Sequence, residues 1–141
     1  MSTLQVDIVS AEAELHSGTA TMVVAPASEG DVGITPRHAP LLTRLRPGEI
    51  RITEESGEEW FFYASGGILE VQPHKVTVLA DTAIRARDID EAAALDAKRR
   101  AEEKLRQQKD DIDYSQVQAE LAEAAAQLRA LENLRKRRGS R

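Results

Sequence analysis

The chain has 141 residues, a formal net charge of −5 and no cysteine. That length holds one domain, or one with an appendage, and can bury a real core; the missing cysteine excludes a disulfide framework, a thiolate metal site and a thiolate nucleophile. No apolar run is long enough to span a bilayer, and residues 1–10 carry neither a basic nor an apolar signal region, so the expectation is a soluble cytosolic protein able to sit on a membrane-bound partner.

Leu4, Val6 and Ile8 alternate with Gln5 and Asp7, which predicts a half-buried strand over 4–9. Ser17-Gly18 reads as punctuation, and the β-branched run over 19–25 as the next strand, ended by Pro26. Residues 29–33 read as a turn-rich loop, and the prolines at 36 and 40 are too close together for a helix. Strands are predicted over 41–45 and over 49–53, where Ile50 and Ile52 share a face.

The densest part of the core is expected in the run from Trp60 to Asp81. Trp60, Phe61, Phe62 and Tyr63 are four of the five aromatic residues, and aromatic side chains bury the most area. This run reads as a meander of three strands, over 60–65, 68–72 and 75–81. Gly66-Gly67 and Pro73-His74 supply its turns. Many short strands with frequent turns imply an antiparallel β-sandwich.

At Asp88 the apolar period changes from two to between three and four. Two helices are predicted, over 89–108 and 114–138, with capping boxes at Asp88/Glu91 and Asp113/Gln116 and an acidic turn over 109–113. Val117, Leu121, Ala124, Leu128 and Leu131 form a seam on the second helix, opposite Ala94, Ala97, Ala101 and Leu105 on the first. Burying a Leu yields roughly 1.5–3 kcal/mol and an Ala far less, so this αα-hairpin needs a docking surface. The division is a β-sandwich over 1–86, a helical hairpin over 88–138 and a basic tail over 139–141.

Charge is uneven. Residues 1–88 carry thirteen acids and seven Lys/Arg, a balance of −6; residues 89–141 carry eleven and twelve, a balance of +1. Arg135, Lys136, Arg137 and Arg138 cluster at the end, a pattern suited to an acidic partner rather than to nucleic acid. Glu54, Glu55, Glu58 and Glu59 flank the aromatic run and would repel phosphates. His16, His38 and His74 share no ligand spacing, so a metal site or catalytic base is set aside. Neither Gly30 and Gly33 nor Gly66 and Gly67 stand in a phosphate-loop pattern, and Asp88 and Asp90 are explained by helix capping. No nucleophile–base pair supports an enzyme.

Five motifs in order resemble the epsilon subunit of the bacterial F-type ATP synthase: Val6-Asp7-Ile8-Val9-Ser10, Ser28-Glu29-Gly30-Asp31-Val32-Gly33-Ile34, Pro36-Arg37-His38-Ala39-Pro40-Leu41-Leu42, Gly66-Gly67-Ile68-Leu69-Glu70-Val71 and Val78-Leu79-Ala80-Asp81. The likeness continues through Ala97-Lys98-Arg99-Arg100-Ala101-Glu102-Glu103. It implies a non-catalytic rotor subunit on the cytoplasmic face of the bacterial inner membrane. Its sandwich would be held by the gamma subunit and rest on the c-subunit ring, and its hairpin would either fold down or extend into the alpha/beta head to block hydrolysis. By the same resemblance Asp31, where Glu is common, and His38 face the c ring. The basic tip at 135–138 meets an acidic loop of the beta subunit. No cofactor is expected beyond weak ATP binding. The Ile/Leu-Asp-x-x-Arg-Ala motif that binds ATP in several relatives survives here as Ile89, Asp90 and Ala94, with Ala93 in place of the arginine. Arg99 and Arg100 are expected to point away from Ala93. The alternative function is a generic adaptor whose hairpin holds client proteins.

Overall fold

The structure is a computed structural model that describes residues 2–107 and 113–139, with side chains as far as Arg137. Ten strands precede two helices: β1 (Leu4–Ser10), β2 (Glu14–Ala20), β3 (Met22–Ala27), β4 (Gly30–Ile34), β5 (Leu41–Leu45), β6 (Gly48–Thr53), β7 (Glu59–Ala64), β8 (Gly67–Gln72), β9 (Lys75–Ala80) and β10 (Ala83–Arg85). A 3-10 turn, Ala86–Asp88, leads to α1 (Glu91–Gln107) and α2 (Tyr114–Gly139). The expected sandwich and hairpin are both present.

One half of the sandwich runs β10-β7-β6-β3, with β4 also on β3; the other runs β5-β8-β9-β1-β2. They join where Ala27 of β3 pairs with Leu45 of β5. Pairing is antiparallel except between β1 and β9, which run parallel with Gln5 opposite Lys75. Alternate residues of both halves point inward. Val6, Ile8, Val23, Ile34, Ile50, Ile52, Phe62, Leu69, Val76 and Val78 are all 0 % exposed.

Three expectations are corrected. Residues 17 and 18 do not punctuate: they lie inside β2, where Ser17 pairs with Asp7 and Gly18 with Val6. Residues 30–33 are not a loop but most of β4, because Val32 and Ile34 turn inward while Asp31 and Gly33 turn outward. The aromatic run is not a three-stranded meander. β7 pairs with β6 and β10, whereas β8 pairs with β5 and β9. Gly66 and Gly67 (φ 134° and 136°) carry the chain from one half to the other. A Cβ on Gly67 would lie 2.1 Å from the Leu79 carbonyl oxygen, so this crossover needs glycine.

α1 is capped by Asp90, whose Oδ1 accepts the Ala93 N–H at 3.1 Å. The predicted box on Asp88 and Glu91 does not form: Asp88 ends the 3-10 turn, and Glu91 turns instead to Arg135. Asp113 caps α2 as expected, accepting Gln116 N–H at 3.2 Å. The rest of the predicted acidic turn, residues 109–112, lies outside the described residues.

The hairpin is docked on the sandwich. Val117, Ala124 and Leu131 of the predicted seam are buried, while Leu121 and Leu128 are half-buried. A second face of α2 that the seam did not include is buried as well: Ala126 and Ala130 pack with Tyr63, Ala86, Ile89 and Leu131, with Phe61, Ile84 and Leu134 at the margin. Strand β7 therefore serves two cores. Phe62 and Ala64 point into the sandwich, and Phe61 and Tyr63 point under α2. Burial drives the Tyr63 hydroxyl well above its ordinary pKa, and Glu123 of α2 adds to the effect.

Candidate partner-binding surfaces

Asp31 stands on the outward parity of β4, and its carboxylate, 70 % exposed, accepts from Arg46 Nη2 at 3.1 Å. His38 lies beyond the far end of β4, in a turn where its backbone N–H donates to Thr35 O and Nδ1 lies 2.7 Å from Ala39 O. Arg37 beside it holds φ 67°, fixed by its N–H on Pro73 O. Asp31 and His38 thus occupy opposite ends of one short strand rather than a common cluster.

The basic tip is less free than the sequence implied. Arg135 forks onto Glu91 at the start of α1, with Nη1–Oε1 at 3.0 Å and a second bond between Nη2 and Oε2. The pairing holds the Glu91 carboxyl below its usual range and raises Arg135. Arg137 Nη1 reaches Glu49 of β6 at 2.9 Å, with its guanidinium 4.0 Å from the centre of the Phe61 ring. Lys136 leans along its own helix to Glu132 at 3.2 Å. The Arg138 side chain and residues 140–141 of the predicted tail lie outside the described residues.

Around the ATP-motif remnant, Ile89 and Ala94 are core positions and the Asp90 carboxylate is occupied in capping. Ala93 opens onto a cavity of about 530 Å³ between α1 and α2, lined also by Arg100, Lys104, Glu120, Glu123 and Gln127. The expectation for Arg100 is corrected here: seven residues are two helical turns, so it returns to the face of Ala93. Its guanidinium is held by Asp96 at 3.0 Å, as is that of Arg99 at 2.8 Å. Two acids facing two bases give the cavity no surplus charge for a polyphosphate.

Leu42, Ile68 and Leu79, which the sequence argument did not single out as a surface, are 70 %, 44 % and 48 % exposed on the outer face of β5, β8 and β9. Ile68 sits opposite Leu79, and Leu79 opposite Val9 of β1. A signal existed: Leu69, Val71, Val76 and Val78 claim the inward parity, which forces large apolar neighbours outward. Adjacent exposed apolar side chains on a sheet mark a contact surface. His16 is half-buried between Trp60 and Phe62, 5.7 and 5.5 Å from ring centre to ring centre. Among the described residues no group of three or more metal-ligating side chains occurs, and no helix is long and apolar enough to cross a membrane.

A sandwich with exposed apolar side chains on the outer face of β5, β8 and β9, an exposed Asp31 and a hairpin clasped by ion pairs has the surface of a protein that binds other proteins. Two family descriptions match the chain in succession: "ATP synthase, Delta/Epsilon chain, beta-sandwich domain" over residues 3–86, and "ATP synthase, Delta/Epsilon chain, long alpha-helix domain" over 87–132. The chain belongs to the ATP synthase epsilon chain family. It is 82 % identical over 138 residues to the ATP synthase epsilon chain of Halorhodospira halophila, covering 97 % of this chain and 98 % of that one. The corresponding chain of Alkalilimnicola ehrlichii is 74 % identical over 137 residues, with the same coverage. The fold is similar to a chain of the Euglena gracilis mitochondrial ATP synthase, solved as OSCP/F1/c-ring, with a TM-score of 0.74 at 18 % identity over 88 % of this chain and 77 % of that one.

Proposed function

We propose that the chain is a non-catalytic central-stalk subunit of a proton-translocating ATP synthase, placed on the cytoplasmic face of a bacterial membrane. In this reading the sandwich is held by the gamma subunit through the Leu42–Ile68–Leu79 face. Asp31 and His38 contact the c-subunit ring, and rotation passes through the rigid sheet. The hairpin is the regulatory part: raised from the sandwich, its basic tip meets an acidic loop of the catalytic beta subunits and restrains ATP hydrolysis. ATP binding by the chain itself stays weak.

The observation that carries the regulatory reading is the composition of the docking seam. On its own side α2 contributes mainly alanines and ion pairs, with Leu131 as its one large buried side chain in a docking seam whose bulk comes from Tyr63 and Ile89. Such a contact is exchangeable for another of similar worth. Lys136 offers the cleaner test, because its one described partner is on its own helix. In the assembled enzyme, Lys136→Glu and the fourfold reversal of residues 135–138 to Glu should both raise ATP hydrolysis, the second severalfold. Raising salt should weaken inhibition in the native enzyme. Hydrolysis indifferent to the fourfold reversal and to salt would remove the tip from the mechanism. Co-purification with the membrane ATPase separates this reading from that of a general adaptor.

A further inference from the structure

Arg137 is clasped by the sandwich through two different chemistries at once. Its Nη1 donates to Glu49 Oε1 at 2.9 Å, and the plane of the guanidinium covers Phe61. Glu49 and Arg137 are 16 % and 32 % exposed, unlike the other ion pairs of the hairpin, whose side chains are all at least 42 % exposed. The second carboxylate oxygen of Glu49 is buried, with no hydrogen-bond partner among the described residues. Exposed ion pairs contribute little. A partly desolvated carboxylate left without its cation is another matter, because burial then penalises the charge with nothing to offset it.

A guanidinium stacked on Phe61 and bonded to Glu49 is anchored to the sandwich, and carrying it to an acidic group on a distant chain requires both contacts to break. We propose that Glu49, with Phe61 beneath the guanidinium, is an intramolecular competitor for Arg137: it sets the fraction of subunits whose hairpin is docked, and so limits how much of the basic tip an acidic partner surface can engage. Glu91 plays a lesser part of the same kind for Arg135, in a more exposed pair. The last step, from availability to inhibition, rests on the function proposed above; the latch itself does not.

The chain lacks cysteine, so a label pair placed by Ser56→Cys and Glu132→Cys reports the distance from the β6–β7 turn to α2 without background. Glu49→Gln keeps the shape and removes the charge. It should raise the undocked population about tenfold, the size of effect expected for one charge-assisted hydrogen bond. Arg137→Gln should do the same, and Glu49→Gln should add nothing in the Arg137→Gln background, because the two act through one contact. Phe61→Leu, which keeps apolar bulk and loses the π face, should open the hairpin partway. Label distances unmoved by Glu49→Gln and Arg137→Gln would overturn the latch, as would additive effects of the two. In the assembled enzyme Glu49→Gln, whose tip is intact, should lower ATP hydrolysis. Opened distances with unchanged hydrolysis would leave the latch standing and refute the inhibitory role of the tip.

Discussion

His16 sits between the rings of Trp60 and Phe62, and burial is the first cause that lowers its pKa from 6.5. The Coulombic effects of Glu54 and Asp7 raise it and that of Arg85 lowers it, so desolvation wins. The sign follows from linkage. Above pH 6.5 both folded and unfolded chains hold a neutral imidazole, and His16 contributes no pH dependence. As pH falls below 6.5 the unfolded chain takes up the proton first, and stability declines until the depressed folded pKa is passed. Denaturation midpoints should therefore begin to fall as pH drops below 6.5, ahead of the carboxylate range, and His16→Gln should flatten that decline. A profile equally steep in the variant would assign the dependence elsewhere. Protonated imidazole quenches indole, so the emission of Trp60, the single tryptophan, should report the same titration.

The helix pair encloses a cavity whose lining bears on nucleotide binding. Ala93 contributes no donor, Arg100 is held by Asp96, and Glu120 and Glu123 oppose a polyphosphate. Titration of the subunit with ATP should show weak binding, and Ala93→Arg should tighten it by one to two orders of magnitude, about 1.5–3 kcal/mol for a charge-assisted bond. Tight binding by the native chain, or no gain in the variant, would show that Ala93 is not limiting. At this scale much was legible in the sequence. Strands with clean alternation, such as Leu4-Val6-Ile8 and Val76-Val78-Ala80, declare themselves, and Asp113 announces the start of α2. β2 does not, because it is an edge strand with only Ala20 fully inward and a glycine in its middle. β4 was masked by Gly30 and Gly33, whose turn chemistry is overridden by register with β3. The contact of Glu49 with Arg137 spans 88 positions, and no local pattern encodes such a pair. The sequence points to an acidic partner for the tip on another chain and does not anticipate Glu91, Glu132 and Glu49 of this one.

For the molecule as a whole, two cores share one strand. The sandwich core closes without the hairpin, so a fragment ending at Arg87 should unfold cooperatively on heating and still join the assembly, where hydrolysis should rise. It should also self-associate at high concentration, because Phe61, Tyr63 and Ile84 lose their cover. Sedimentation against concentration tests this; an unfolded fragment, or a monodisperse one, would show that β7 is not shared as described. The parallel pairing of β1 with β9 carries its own consequence for how the protein is made. β1 gains one neighbour soon after it is made, in β2, and waits for the other until Lys75 to Ala80 have been synthesised. Until then β1 has an open edge, and the contact order of the sandwich is set by that wait. The helices follow β10 in the chain, so they dock onto a sheet that is already closed, and Arg135 and Arg137, which fasten them, come late in α2.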